Sequence, residues 1–193
     1  MSRHEATARD RLIAILRLAY SGERAAGYAY RGHWHSVREP AERDRIRAIE
    51  EEEWHHRRLV GEMLQALGAP PLPVREFRAL LVGRVLGALC HASGWFAPMY
   101  GAGRLERRNV GEYEEAARYA RECGHEELVD CLLGMAEVEW DHEAYFRDRV
   151  LSHPLQRLVP VWEPLPPRES IRRSFASVLE PATAAVLRTA SET

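Results

Sequence analysis

The chain has 193 residues, of which 46% are apolar and 29% are charged, a composition that indicates one globular domain and excludes collagen-like and disordered chains. The formal net charge is -2 and all 27 basic residues are arginine. This near-neutral balance gives no general reason to bind nucleic acid, so no nucleic-acid partner is expected.

Helical periodicity predicts four long helices in chain order. Apolar residues recur at steps of three and four, which places them on one face of a helix. The predicted helices span residues 9–35, 40–67, 74–121 and 126–151, the third with a kink or break at Pro98 and Gly101. Four amphipathic helices that each bury one stripe predict an all-α fold, an antiparallel four-helix bundle over residues 1–151.

The composition changes after residue 151. Five prolines surround Trp162, so residues 152–193 are predicted to form a Pro-rich C-terminal extension. A short helix is predicted at 168–179 and another after Pro181. We expect the extension to pack on the bundle or on a partner subunit, because Val159, Val161 and Trp162 need cover, and a homo-oligomer is compatible with this pattern.

A nearly apolar stretch at residues 79–103 allows two interpretations. It is long enough to cross a bilayer but is interrupted by Arg84, His91 and Pro98. A buried core helix is the simpler interpretation, and an interfacial helix that dips into a membrane is the alternative. Three cysteines without a C-x-x-C pair, and a polar N-terminus, predict a cytoplasmic location, with peripheral contact to the inner face of a membrane through 79–103 as the alternative.

Glu-x-x-His pairs are the main chemical motif, but the bare motif is weak evidence. Chance alone gives roughly one such pair at this Glu and His content. Four occur, at Glu52/His55, Glu53/His56, Glu122/His125 and Glu139/His142. Helical phase separates them, because only two of the pairs lie on the apolar ridge of their helix. Those two are Glu53/His56 and Glu139/His142.

Six ligand-type residues thus point inward from four helices, in the order Glu, Glu-x-x-His, Glu, Glu-x-x-His. They are Glu23, Glu53, His56, Glu106, Glu139 and His142. Four unpaired carboxylates in one core would be costly, whereas two divalent cations would neutralise them. Oxygen and imidazole ligands suit iron or manganese, so the expected cofactor is two iron ions, with manganese possible in their place. The alternative is a protonated, mutually hydrogen-bonded Glu cluster without metal.

Four further residues are candidates to support these ligands. Glu51 and Glu137 each precede a candidate ligand by two residues, and a ligating His usually donates its other nitrogen to a carboxylate. Exposed surface acids are the equal alternative for both. Tyr30 and Tyr113 lie two turns after Glu23 and Glu106 on the same ridges. Two alternatives follow for each tyrosine: it hydrogen-bonds a ligand, or it only packs in the core.

Four segments around these residues resemble the ferritin-like di-iron carboxylate superfamily. They are GERAAGYAYRGH at 22–33, EEEWHHRRL at 51–59, LERRNVGEYEEA at 105–116 and EVEWDHEAYF at 137–146. Within that superfamily the chain is most similar to the demethoxyubiquinone hydroxylase family, the monooxygenases of ubiquinone biosynthesis, over residues 9–150. The resemblance implies the same six metal ligands, with Glu53 and Glu106 as the bridging carboxylates.

Three functions follow from this pattern. The first is a di-iron oxygen-activating oxidoreductase, a monooxygenase of a quinone-like or other apolar substrate. Its partners would be dioxygen, that substrate, and an unidentified electron donor, since the chain has no flavin or dinucleotide motif. The second is a ferroxidase or peroxidase of ferritin or rubrerythrin type. The third is a non-catalytic helical binding protein with a vestigial site.

Overall fold

The structure, a computed structural model, describes residues 3–177, and every regular element in that range is helical. The all-α prediction is confirmed. The helices are α1 (Arg3–Ser36), α2 (Pro40–Ala66), α3 (Pro73–Cys90), α4 (Phe96–Glu122), α5 (Glu126–Leu151) and α6 (Ser170–Ser177), with a turn of 3-10 helix at Pro154–Arg157. The helix predicted after Pro181 lies outside the described residues.

Local sequence signals set the helix ends. Pro40 occupies the first turn of α2, where its missing N–H is not needed, and the Glu39 carboxylate accepts a hydrogen bond from the Glu42 N–H at 2.6 Å. Gly68 and Gly124 follow α2 and α4 with φ values of 62° and 82°. This left-handed conformation favours glycine and stops a helix. The α1–α2 and α4–α5 connections are each only three residues long, at 37–39 and 123–125, so each pair of helices forms an antiparallel hairpin.

The two hairpins pack on each other through α1 and α4, and through α2 and α5. Two apolar clusters fill the space between them. One cluster includes Leu12, Val60 and Leu132, and the other includes Ile46 and Phe146. On all four long helices the predicted ligands fall between the residues of one cluster and those of the other. The polar group therefore lies at mid-height, sealed at both ends by apolar side chains.

The break predicted within residues 74–121 occurs, but it lies before Pro98 and Gly101. The chain breaks at residues 91–95, where Gly94 has a φ of 74°, and Pro98 instead lies in the first turn of α4. The separate α3 packs on α1 at very short range. A Cβ built on Gly32 would lie 2.3 Å from the Cα of Gly87, so both positions need glycine.

Helix α3 is neither a fully buried helix nor a membrane span. Its inner face is held by Glu76, whose carboxylate accepts hydrogen bonds from Ser21 at 2.7 Å and Arg57 at 2.5 Å. Its outer face exposes large apolar side chains, including Phe77 at 66%. Across residues 3–177, no helix combines the length and apolar character needed to cross a bilayer.

The C-terminal segment up to residue 177 runs over α4 and α5. The Trp162 Nε1–H donates to Glu143 Oε1 at 2.6 Å, and the Trp140 Nε1–H donates to the Pro166 carbonyl at 2.8 Å. The Trp162 ring lies so close to Gly103 that a Cβ there would approach it to 2.5 Å. The extension thus packs on its own chain along this part of its length.

Candidate metal centre

The structure brings together all six candidate ligands, from four helices, in the buried layer between the two apolar clusters. Their exposed fractions range from 0% to 3%. Glu23 comes from α1, Glu53 and His56 from α2, Glu106 from α4, and Glu139 and His142 from α5. The helical phase that singled out these residues in the sequence places every one of them inside.

The ligand atoms form two overlapping groups, each of which could hold a metal ion. Glu53, Glu106, Glu139 and His142 form one group, and Glu23, His56 and Glu139 form the other; the atoms of each group lie within 4.8 Å of one another. Glu139 is the carboxylate that belongs to both groups. The family resemblance instead implied Glu53 and Glu106 as the two carboxylates shared between the metal ions. The Glu139 Oε1 atom lies 2.8 Å from His56 Nδ1, and its Oε2 lies 3.6 Å from His142 Nδ1.

Burial makes this cluster electrostatically unfavourable without a cation. Burial raises the pKa of Glu53 and Glu106 well above the ordinary value, and repulsion by the Glu139 carboxylate raises both further. Burial also raises the pKa of Glu23. Burial opposes ionisation of Glu139 too, but the neighbouring imidazoles of His142 and His56 outweigh it and hold the pKa of Glu139 well below its usual range. One ionised carboxylate and three carboxyls that resist ionisation thus share one pocket.

Several ligand atoms have no hydrogen-bond partner among the described residues. They are Glu23 Oε2, both oxygens of Glu53 and Nδ1 of His142. The Glu53 Oε1 and His142 Nδ1 atoms lie 3.3 Å apart without being aligned for a hydrogen bond. Buried polar atoms are rarely left unpaired, so four convergent ones indicate a missing partner. Carboxylate oxygens and imidazole nitrogens are a donor set that fits iron or manganese.

Two tyrosines cross-link the α1 and α4 ligands. The Tyr30 hydroxyl of α1 donates to Glu106 Oε1 of α4, and the Tyr113 hydroxyl of α4 donates to Glu23 Oε1 of α1. Both tyrosines are buried. Of the two alternatives open for these residues, the structure shows ligand contact for both. Each tyrosine holds one ligand oxygen, and the other oxygen of Glu23 has no hydrogen-bond partner among the described residues.

Glu51 and Glu137, the carboxylates predicted to support the ligands, pair with arginines instead. Glu51 lies on the exposed face of α2 beside Arg47, since a two-residue offset turns it about 200° from Glu53. Glu137 pairs with Arg172 of the C-terminal segment. The carboxylate that meets a candidate ligand is Glu52.

Glu52 and Asn109 are the two supporting residues that sequence reasoning missed. Glu52 Oε2 lies 2.6 Å from His142 Nε2, and the Asn109 amide donates to Glu106 Oε2 at 2.8 Å. Asn109 is three residues after Glu106, a spacing that signals a shared helix face. Glu52 flanks the apolar ridge of α2, but its partner lies on another helix, and no local pattern reveals that contact.

Replacing Glu52 by alanine is expected to weaken metal binding by about 10- to 100-fold, because His142 loses the carboxylate that orients its ring. The matched control is Glu51→Ala, which removes the neighbouring exposed carboxylate and should leave the affinity unchanged. Competition of each variant against a chelator for manganese measures the difference. Equal affinities in the two variants would show that the Glu52 contact does not support the centre.

A small cavity of about 110 Å³ opens between α1 and α4 and reaches Glu23 and Tyr113. Asn109, Glu112 and Leu105 also line it. It has room for molecules of the size of water beside a candidate ligand.

No protein-family model, no curated protein and no solved structure matches this chain. The assignment of function therefore depends on the geometry of the centre.

Proposed function

We propose that the chain is a di-iron oxygen-activating oxidoreductase on a ferritin-like four-helix bundle, and specifically a monooxygenase of a quinone-like or other apolar substrate. One observation carries the proposal. Six ligand-type side chains from four helices converge in a buried layer, and several of their polar atoms have no partner in residues 3–177.

The pattern of helices supports two metal ions. One Glu from each of two helices and a Glu-x-x-His pair from each of the other two is the arrangement that ferritin-like di-iron proteins use. Glu139 belongs to both ligand groups, as a bridging carboxylate would. Once ionised, the four buried carboxylates would need more positive charge than two histidines supply. Iron is the proposed metal, and manganese is the alternative with the same ligand preference.

The residues of this chain have clear roles in that function. Two ferrous ions in the centre would supply electrons for the reduction of dioxygen. Glu53, Glu139 and His142 would hold metal, while Tyr30 fixes Glu106 by donating a hydrogen bond to it. The apolar clusters at both ends keep bulk water away. Electrons come from a separate reductase or from the reduced substrate.

A ferroxidase or peroxidase is the second candidate, and the cavity at Glu23 favours it. The wall of this cavity carries Asn109 and an Arg108–Glu112 ion pair as well as Glu23, so a hydrated cation would meet polar groups beside the centre. This function needs no organic substrate. It predicts iron uptake beyond the two ions that the centre itself would hold.

Ferrous loading under argon tests the proposal directly. After desalting we expect about two irons per chain, the number that the donor set would hold, and an absorption change with dioxygen uptake when air is admitted. Continued uptake of iron in air would favour the ferroxidase. A folded protein that retains no iron would overturn both redox functions and leave the vestigial binding protein.

A further inference from the structure

The outer face of α3 is an apolar surface that no other part of residues 3–177 covers. Seven large apolar side chains on α3 are between 47% and 67% exposed, among them Val74, Phe77, Leu81, Val85 and Leu89. Together they present roughly 700 Å² of apolar surface, more than the about 300–600 Å² of the largest patch on a typical monomer. Glu76 ties the opposite face of α3 to Ser21 of α1 and Arg57 of α2, so the apolar face is held outward.

A trough runs beside this face, with α1 as its floor and α3 and α4 as its two walls. Two cavities of about 440 and 460 Å³ follow each other along it. Most of the lining is small or aliphatic and includes Leu18, Gly22, Ala29, Leu86, Gly101 and Leu105. A Cβ built on Gly22 or Gly101 meets no atom within 4 Å. The backbones of α1 and α4 are therefore open to the close approach of another helix.

The outer face and the trough lie side by side, and this arrangement distinguishes the partners that could cover them. A lipid surface would cover the outer face of α3 and leave the trough empty. A single helix of another protein would fill the trough and leave the outer face exposed. A second copy of the chain covers both, because a two-fold axis between the copies lets each α3 lie in the trough of the other.

The apolar area available matches what a stable dimer needs. A standard protein interface buries about 800 Å² on each partner. The outer face of α3 supplies most of this area, and the half-exposed Leu18 and Leu105 of the trough add to it. Arg75 and Arg78 line the edge of the trough, where their stems can cover apolar surface while the guanidinium groups stay in water. An apolar centre with a polar rim is the usual construction of an interface.

We propose that the chain forms a two-fold symmetric dimer in which the outer face of α3 of each copy lies in the trough of the other. The dimer does not depend on the proposed function, because none of the six candidate metal ligands lines the two cavities of the trough. The partner copy closes both cavities from solvent. One of them has Tyr30 in its wall, so the interface forms the outer boundary of the space beside the candidate centre.

Sedimentation equilibrium of the full chain without lipid tests the proposal. At micromolar concentrations we expect a mass twice the chain mass of 22.1 kDa. Leu81→Glu should raise the dissociation constant of the dimer by at least about 100-fold, because each copy then brings an unpaired carboxylate into an apolar interface. The matched control is Leu158→Glu, since Leu158 is also exposed but lies on the C-terminal segment. A monomeric unmodified chain, or equal dissociation constants for the two variants, would overturn the proposal.

A second pair of variants tests the trough. Gly22 lies on its floor, whereas Gly134 lies on α5, which lines neither cavity, and a Cβ at either glycine meets open space. Gly22→Leu should raise the dissociation constant about tenfold or more by overpacking the interface, while Gly134→Leu should leave it unchanged. Circular dichroism checks that each variant stays helical.

Two results would contradict this geometry. Equal dissociation constants for Gly22→Leu and Gly134→Leu would show that the trough is not occupied, and would overturn the proposal. A chain that is monomeric in solution but floats with vesicles of phosphatidylcholine and phosphatidylglycerol would overturn it as well, and would assign the outer face of α3 to a lipid surface.

Discussion

Replacing Glu53 by leucine is expected to have two opposite effects: metal binding is lost, and the metal-free protein becomes more stable. Glu53 is fully buried, and neither of its oxygens has a hydrogen-bond partner in the described structure. Exchange of such a carboxylate for an apolar side chain is expected to stabilise the fold by about 1–3 kcal/mol, or roughly 2–9 °C in the thermal midpoint. Metal affinity should fall by more than about 100-fold, since a direct ligand is removed rather than its support.

Glu143→Leu is the matched control for this experiment. Glu143 is also buried on the neighbouring α5, but its carboxylate accepts a hydrogen bond from Trp162 and lies 3.7 Å from Arg147. Its loss should lower the thermal midpoint, because the Trp162 N–H is left without a partner. Thermal unfolding of both variants, with and without manganese, separates the cases. If Glu53→Leu also lowers the midpoint of the metal-free protein, Glu53 is a structural residue and not a strained ligand.

The thermal midpoint of the metal-free protein is expected to fall as the pH rises from 6.5 to 8. The pKa values of Glu53 and Glu106 are raised well above the ordinary 4.5, chiefly by burial. Such groups contribute stability that is fully present below about pH 4.5 and is lost as the pH rises towards their folded-state pKa. His142 acts in the same direction above its ordinary value of 6.5, because carboxylate partners outweigh burial and raise its pKa. The opposing contribution of Glu139 is complete below this window, whereas that of His33 ends only once the pH has passed its ordinary value of 6.5.

Metal should reverse this trend, because ligands must lose protons to bind it. With saturating manganese, the difference in midpoint between loaded and metal-free protein should widen from pH 6.5 to 8. The Glu53→Leu variant removes one of the strained carboxyls and should show a shallower decline without metal. A metal-free midpoint that rises across the window would show that the buried carboxyls are ionised and otherwise paired.

Much of the helical architecture could be predicted from local patterns. The prediction of 126–151 coincides with α5, and that of 40–67 extends one residue beyond α2. The misplaced break within residues 74–121 has a physical cause. A nearly apolar run gives the same pattern for one kinked helix and for two helices that bury different faces. The close contact between Gly32 of α1 and Gly87 of α3 explains why α3 packs against α1 and does not continue into α4 as one helix. That contact is visible only in the tertiary structure.

The candidate site also has a part that could be predicted from local sequence and a part that could not. Phase along each helix was enough to place the six ligands, because side chains on an apolar ridge share its direction into the core. Contacts between helices could not be anticipated. The same one-residue offset that moves Glu52 off the ridge of α2 directs it to His142 of α5, whereas the two-residue offset of Glu51 leaves it exposed. A contact between a ligand and a supporting residue on another helix depends on how far the two helices are shifted along their axes. The spacing of residues within one helix does not encode that shift.

The crossed tyrosine contacts reveal an internal symmetry. Tyr30 follows Glu23 by the same seven residues by which Tyr113 follows Glu106, and each tyrosine bonds the other hairpin's carboxylate. One helical hairpin with this Glu, this Tyr and a Glu-x-x-His pair would therefore generate the whole set by pairing with a copy of itself. The ligand pattern therefore occurs once in each half of the chain. The two halves differ where Glu52 precedes Glu53 but a valine precedes Glu139.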